Sequence, residues 1–171
     1  MGSIKSSKNK LWILLGLVVL FQIGIMVILS QLRNPIDALT LQLTFSADHF
    51  FSIVHHWSSQ ELNAYLLHYS LDMIYPICYV LFLWELMKRC DSTPQKVYFQ
   101  RMVPIPLIIG IMDELENICH LLLFWVPLSP NQTFIFIKAL FSWTKWIFLF
   151  ISLILISIIF IYSKRKKSSS R

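Results

Sequence analysis

Four long apolar stretches dominate this chain, and stretches of that length admit few folds. The hydrocarbon layer of a bilayer is about 30 Å thick and takes about 20 helical residues at about 1.5 Å each. Leu11–Ser30, Asn63–Met87, Met102–Val126 and Thr133–Tyr162 all meet that length. Of 171 residues, few are left for a water-soluble domain. The expected fold is therefore all-α, a four-helix transmembrane bundle forming one integral membrane domain. A mean hydropathy of +0.63 agrees with this.

The net charge of +6 raises the question of nucleic acid, and its placement answers it. Lys5, Lys8 and Lys10 precede the first stretch, and Lys88, Arg89, Lys96 and Arg101 follow the second. Lys164, Arg165, Lys166, Lys167 and Arg171 follow the fourth. The remaining connections hold Arg33 against Asp37, Asp48 and Glu61. Basic residues thus alternate with the crossings, which predicts both termini in the cytoplasm. Membrane topology accounts for the charge without nucleic acid. The 164–167 run also suits anionic lipid, at about 1 kcal/mol per basic residue.

Three cysteines make no disulfide framework, and Cys78 and Cys119 read as free thiols packed among apolar side chains. The first stretch has basic residues before it and no Ala-x-Ala site after it, so it reads as an uncleaved anchor. Met1-Gly2-Ser3-Ile4-Lys5-Ser6 fits a myristoylation pattern at Gly2, and Asn131-Gln132-Thr133 is a sequon too close to the membrane to be used. Between the first two stretches, Ala47–Trp57 mixes Phe50, Phe51, Ile53 and Val54 with Asp48, His49, His55 and His56. That pattern predicts a short amphipathic helix at the interface. Ser58-x-x-Glu61 predicts a capping box opening the second helix. Pro76 should kink that helix and free a carbonyl one turn back.

The informative residues are those that lipid would reject. A charge at bilayer depth costs about 2.5–3.5 kcal/mol on insertion scales, so such groups face the bundle interior. His68, Asp72, Tyr75 and Tyr79 share one helical face; Asp113, Glu116, Asn117 and His120 share another; Lys138, Ser142 and Lys145 share a third. Glu114 falls off its stripe. Counted from the outer ends, the three faces reach matching depths. The expectation is a buried polar cluster in the outer half of the bundle, comprising His68, Asp72, Tyr75, Asp113, Glu116, Asn117, His120 and Lys145. In it Lys145 should pair with Asp113, Glu116 or Asp72. Carboxyls outnumber cations there, so at least one should be protonated or wetted.

Such a cluster can fix helix packing and assist a partner, can bind a lipid- or sterol-like molecule or do acid/base chemistry on it, or can pass protons. The first reading leads, without enzymatic activity, and the inner halves, rich in Ile, Leu and Phe, argue against the third. No metal or cofactor is expected. His68 and His120 are thin evidence for haem, and zinc would want three or four converging ligands, for which His68, Asp72 and His120 are the only plausible set. No nucleophile elbow, P-loop or dinucleotide fingerprint occurs. The expected partners are membrane lipid, a lipid-like small molecule or another membrane protein.

The stretch Tyr65–Trp84, then Pro104–Phe124, then Lys145 with Trp146 resembles an uncharacterised family of small four-helix membrane proteins found mainly in bacteria. Its pattern, D-x-x-[YF]-P, then D-x-x-E-N, then one lysine, falls here on Asp72, Tyr75, Pro76, Asp113, Glu116, Asn117 and Lys145. The resemblance covers the chain from about Phe45 onward and implies no activity. A looser similarity is to the sterol-isomerase and sigma-2-receptor type of module, which holds sterols and sterol-like amines between four helices. His68 and Asp72 with Glu116 opposite resemble its acid/base arrangement. The flanking motifs do not match, so that likeness is one of architecture.

Overall fold

A computed structural model describes residues 2–90, 104–125 and 131–168. Every element among them is helical: α1 Gly2–Leu29, α2 Ile36–Leu43, α3 Ala47–His55, α4 Ser59–Asp72, α5 Tyr75–Cys90, α6 Pro104–Trp125 and α7 Gln132–Ser168. The connection expected around Cys90–Tyr98, the turn at 127–130 and the side chains of the basic tail lie outside the described residues.

Among the described residues three helical stretches are long and apolar enough to cross a membrane: Asn9–Leu29, Ser59–Met87 and Gln132–Ile158. Burial runs opposite to that of a water-soluble protein. Trp12, Leu20, Ile77, Trp125 and Phe150 are exposed, whereas Glu116, Asn117, His120, Lys138 and Ser142 are fully enclosed. An apolar exterior around a polar interior is what hydrocarbon solvent selects.

Local chemistry sets the element boundaries. Ser58 opens α4 with its side chain on the Glu61 amide, and the Glu61 carboxylate returns to the Ser58 amide at 2.9 Å, completing the expected capping box. The other Glu61 oxygen accepts from the Arg33 amide at 3.0 Å and so ties the α1–α2 turn to the start of α4. Asn131 caps α7, its side-chain oxygen accepting from the Thr133 amide at 2.9 Å. At the opposite end of the bundle Lys10 of α1 meets Glu85 of α5 at 2.7 Å, so these two helices run antiparallel.

Pro76 breaks the second long helix into α4 and α5 at Met73–Ile74. The ring at Pro76 has no N–H to offer the carbonyl of Asp72, four residues earlier. That carbonyl instead accepts from the Asn117 side chain of α6 at 2.9 Å. The freed acceptor expected from the sequence is thus satisfied by a neighbouring helix.

The connection between α1 and α4 carries more structure than one interfacial helix. Alongside α3, α2 packs inward, with Leu41 fully buried and Gln42 nearly so. Three side chains of α7 hold the end of α2 and the short link to α3. Gln132 bridges the Ala47 amide at 2.8 Å and the Phe45 carbonyl at 2.6 Å. Trp143 donates its indole N–H to the Leu43 carbonyl at 3.2 Å. Lys138 donates to the carbonyls of Leu41 and Gln42. Helix carbonyls left open at a C-terminus attract a cation, so the Lys138 ammonium is answered by backbone. α3 is amphipathic as expected, with His49 and His55 exposed, but its Phe50 is fully buried.

Candidate functional site

Lys145 is the centre of the buried cluster. Its ammonium nitrogen lies 2.5 Å from Asp113 Oδ1 and 2.6 Å from Glu116 Oε2. Asp113 and Glu116 stand three residues apart on α6, so one lysine of α7 spans two successive carboxyls on one helical face. The contact to Asp113 is an aligned hydrogen bond, while that to Glu116 is an ion pair at a less favourable angle. The second oxygen of Asp113 accepts from the Tyr79 hydroxyl of α5 at 2.7 Å. The pairing of Lys145 with Asp113 and Glu116 therefore joins α5, α6 and α7.

His120, one turn beyond Glu116, is fully buried with its Nε2 3.8 Å from Glu116 Oε1. Its Nδ1 meets the Tyr65 hydroxyl at 2.9 Å, and its ring stacks on Tyr69 at 4.3 Å between centroids. Tyr65 and Tyr69, both fully buried, floor the cluster on the α4 side. The sequence reading missed these two, because a tyrosine at helical spacing carries no sign of whether its hydroxyl faces another helix.

Asp72 and His68 differ from the rest. They are 6% and 3% exposed, and both line a cavity of about 500 Å³ bounded by α1, α2, α4, α5, α6 and α7. Asp72 forms no ion pair among the described residues; His68 Nδ1 is buried without a hydrogen-bond partner, as are Asn117 Oδ1, His120 Nε2 and both Glu116 oxygens, so what sets His68 and Asp72 apart is the cavity they face. The cavity also takes in Gln22, Gln42, Tyr75, Tyr79, Asp113 and Lys145 on its polar side. Val18, Ile25, Phe82, Leu83, Trp146 and Leu149 make up its apolar side. Along α1 these residues run from Val18 to Leu29, which at about 1.5 Å per residue makes the space elongated, about 16 Å from end to end.

The structure thus brings Asp113, Glu116, His120 and Lys145 into direct contact. It adds Asn117 through the Asp72 backbone and sets His68 and Asp72 beside the cavity. Tyr75 turns toward α1, donating to Gln22 at 3.0 Å. Lys138 was expected on one face with Ser142 and Lys145. It is buried there, but its nitrogen turns to α2, since the carbonyl end of that helix supplies acceptors nearer than the carboxyls. Among the described residues no group of three His, Cys, Asp or Glu side chains is arranged to hold a metal ion. Cys78 and Cys119 are free thiols.

Among the described residues the chain is all-helical, with three helical stretches long and apolar enough to cross a membrane. No family model, no curated protein and no solved structure matches it.

Proposed function

We propose that this chain is a four-span membrane protein, both termini cytoplasmic, that binds a lipid- or sterol-like amphiphile in the cavity beside Asp72. The fourth span in this reading is α6. Its 22 residues reach about 33 Å, and two of its three central acids are offset by Lys145. The observation that carries the ligand reading is the 500 Å³ cavity meeting a buried, ion-unpaired carboxylate and an unpartnered imidazole nitrogen. Ligand sites are mostly apolar with a few polar groups that fix orientation, and this cavity has that make-up. The amphiphile's head would donate to Asp72 and meet His68, and its apolar body would lie along α1 and α5 toward Leu83 and Leu149.

The cluster that holds the bundle together remains the better reading for Lys145, Asp113 and Glu116, whose charges already answer one another. His68 and Asp72, one helical turn apart, also form a potential acid/base pair toward whatever the cavity holds.

Protein purified in a mild detergent and sprayed natively into a mass spectrometer should retain a bound amphiphile. A thermal-shift screen against lipids and sterols should find at least one that stabilises the wild type and acts less on Asp72→Asn. Ligand at a hundred times its Kd adds about 2.7 kcal/mol, well within reach of such a screen. Empty protein, together with no shift from any lipid or sterol, would refute the proposal.

A further inference from the structure

The cavity beside Asp72 is walled unevenly. Its linings from α4 and α6, which are His68, Asp72 and Asp113, are buried. Among the described residues its exposed linings sit on α1, α2 and α7 alone, and include Gln22, Leu39 and Trp146. The mouth of the space therefore lies between α1 and α7, with α2 beside it. α1 packs on α4 and α5, and α7 chiefly on α6. No hydrogen bond, ion pair or ring contact joins α1 to α7 among the described residues.

Depth decides what that mouth faces. Gln22 stands seven residues from the α1 end at Leu29, about 10 Å, and Trp146 fourteen from the start of α7 at Gln132, about 21 Å. In a bilayer an opening at those depths meets acyl chains and not water. Its rim has two polar features. Gln22 is an exposed amide whose oxygen accepts from the Tyr75 hydroxyl at 3.0 Å, while its NH2 group has no partner among the described residues and can meet an acceptor. Trp146 is 42% exposed, yet its ring centroid lies 5.6 Å from the Lys145 ammonium. One indole thus spans the step from the outside to the charged centre.

Whatever enters there must first leave water. A permanently charged head would be drawn through hydrocarbon at heavy cost, whereas a hydroxyl or carbonyl forfeits few hydrogen bonds, which Gln22 and Asp72 can restore. We propose that the cavity is filled sideways from the acyl-chain layer, through the gap between α1 and α7, by an amphiphile whose head is small and uncharged. This rests on the ligand reading above and adds the ligand's source and the kind of head it carries.

Nitroxides attached at Leu149→Cys and, separately, at Ile25→Cys report on opposite walls of the space, after Cys78, Cys90 and Cys119 are replaced by Ser. Oxygen gathers among acyl chains, and a nickel chelate stays in water. In liposomes both labels should meet oxygen nearly as often as one at Phe150→Cys on the exposed surface, and should not meet the chelate. Adding Trp146→Ala should raise oxygen collisions at 149 about twofold by taking bulk from the mouth. Collisions with the chelate, or with neither reagent at both positions, would overturn the side entrance. For the head, monooleoylglycerol or cholesterol should raise the melting temperature of the wild type, and Gln22→Leu should reduce that shift. Lysophosphatidylcholine with the same oleoyl chain should give none, and a shift from it equal to theirs would overturn the uncharged head. Oxygen access without a shift from any lipid or sterol defeats the ligand reading, and this proposal with it. A lipid shift in a protein whose cavity is sealed or wetted defeats the side entrance alone.

Discussion

Two halves of one polar cluster are built on opposite terms. Around Lys145, two carboxylates flank one ammonium at 2.5 and 2.6 Å, and a tyrosine hydroxyl donates to the far oxygen of one of them. Around Asp72, at the end of α4, a carboxyl lies beside open space with no cation paired to it among the described residues. The first half has the character of a fastener, and the function proposed above makes the second a receptor. Buried charges persist in proteins when paired, and the proposed ligand would sit where a buried carboxyl without a cation meets a cavity.

The contrast can be broken by substitution, and the largest effect is expected at Lys145. Lys145→Met strands two buried carboxylates and should cost about 3–5 kcal/mol, read as loss of folded protein by fluorescence size-exclusion. Adding Asp113→Asn and Glu116→Gln should recover part of that yield. If Lys145→Met alone is harmless, the fastener reading fails. Lys138→Met should come next, costing about 2–3 kcal/mol by leaving the carbonyl end of α2 bare. Because α2 lines the cavity, the same change should also weaken ligand binding, as measured by thermal shift.

Asn117→Ala removes the donor to the Asp72 carbonyl and should cost about 1–3 kcal/mol in thermal unfolding. In a Pro76→Ala background the helix can supply its own N–H, so the same substitution should cost less. A double-mutant cycle that finds no coupling would mean the two residues act separately. The smallest effect on stability is expected at Asp72→Asn, within about 0.5 kcal/mol of wild type, together with altered ligand response. A large stability loss there would move Asp72 to the fastening half and erase the contrast.

How much of this was legible depends on what each residue meets. Apolar length announced three helical stretches able to cross a membrane, while the fourth expected one, around α6, carries too many acids to count among them. Helical spacing placed Asp113, Glu116 and His120 on one face and Lys145 opposite. Side-chain charges are written in the sequence, so that pairing could be anticipated. The capping box at Ser58 and Glu61 was readable for the same reason. Lys138 was not, because its partners are backbone carbonyls, and every residue has one. The inward-packed α2 was missed as well. Eight residues in a polar-looking connection show little periodicity, and their hold on α7 comes from Gln132, Lys138 and Trp143, almost a hundred positions away. The cavity has no signature of its own, since it is a gap left by several helices at once.

Pro76 has one further consequence. By withholding its N–H, it gives part of the hydrogen-bond ladder of one helix to a residue forty-five positions later in the chain. The bend between α4 and α5 is therefore finished only after that later segment has left the ribosome and docked. Until then the second hydrophobic segment must wait, its open carbonyl left to water or to another donor. Assembly of this protein is thereby given an order in time, and mistakes in Asn117 should surface as a late folding arrest, after the helices themselves have formed.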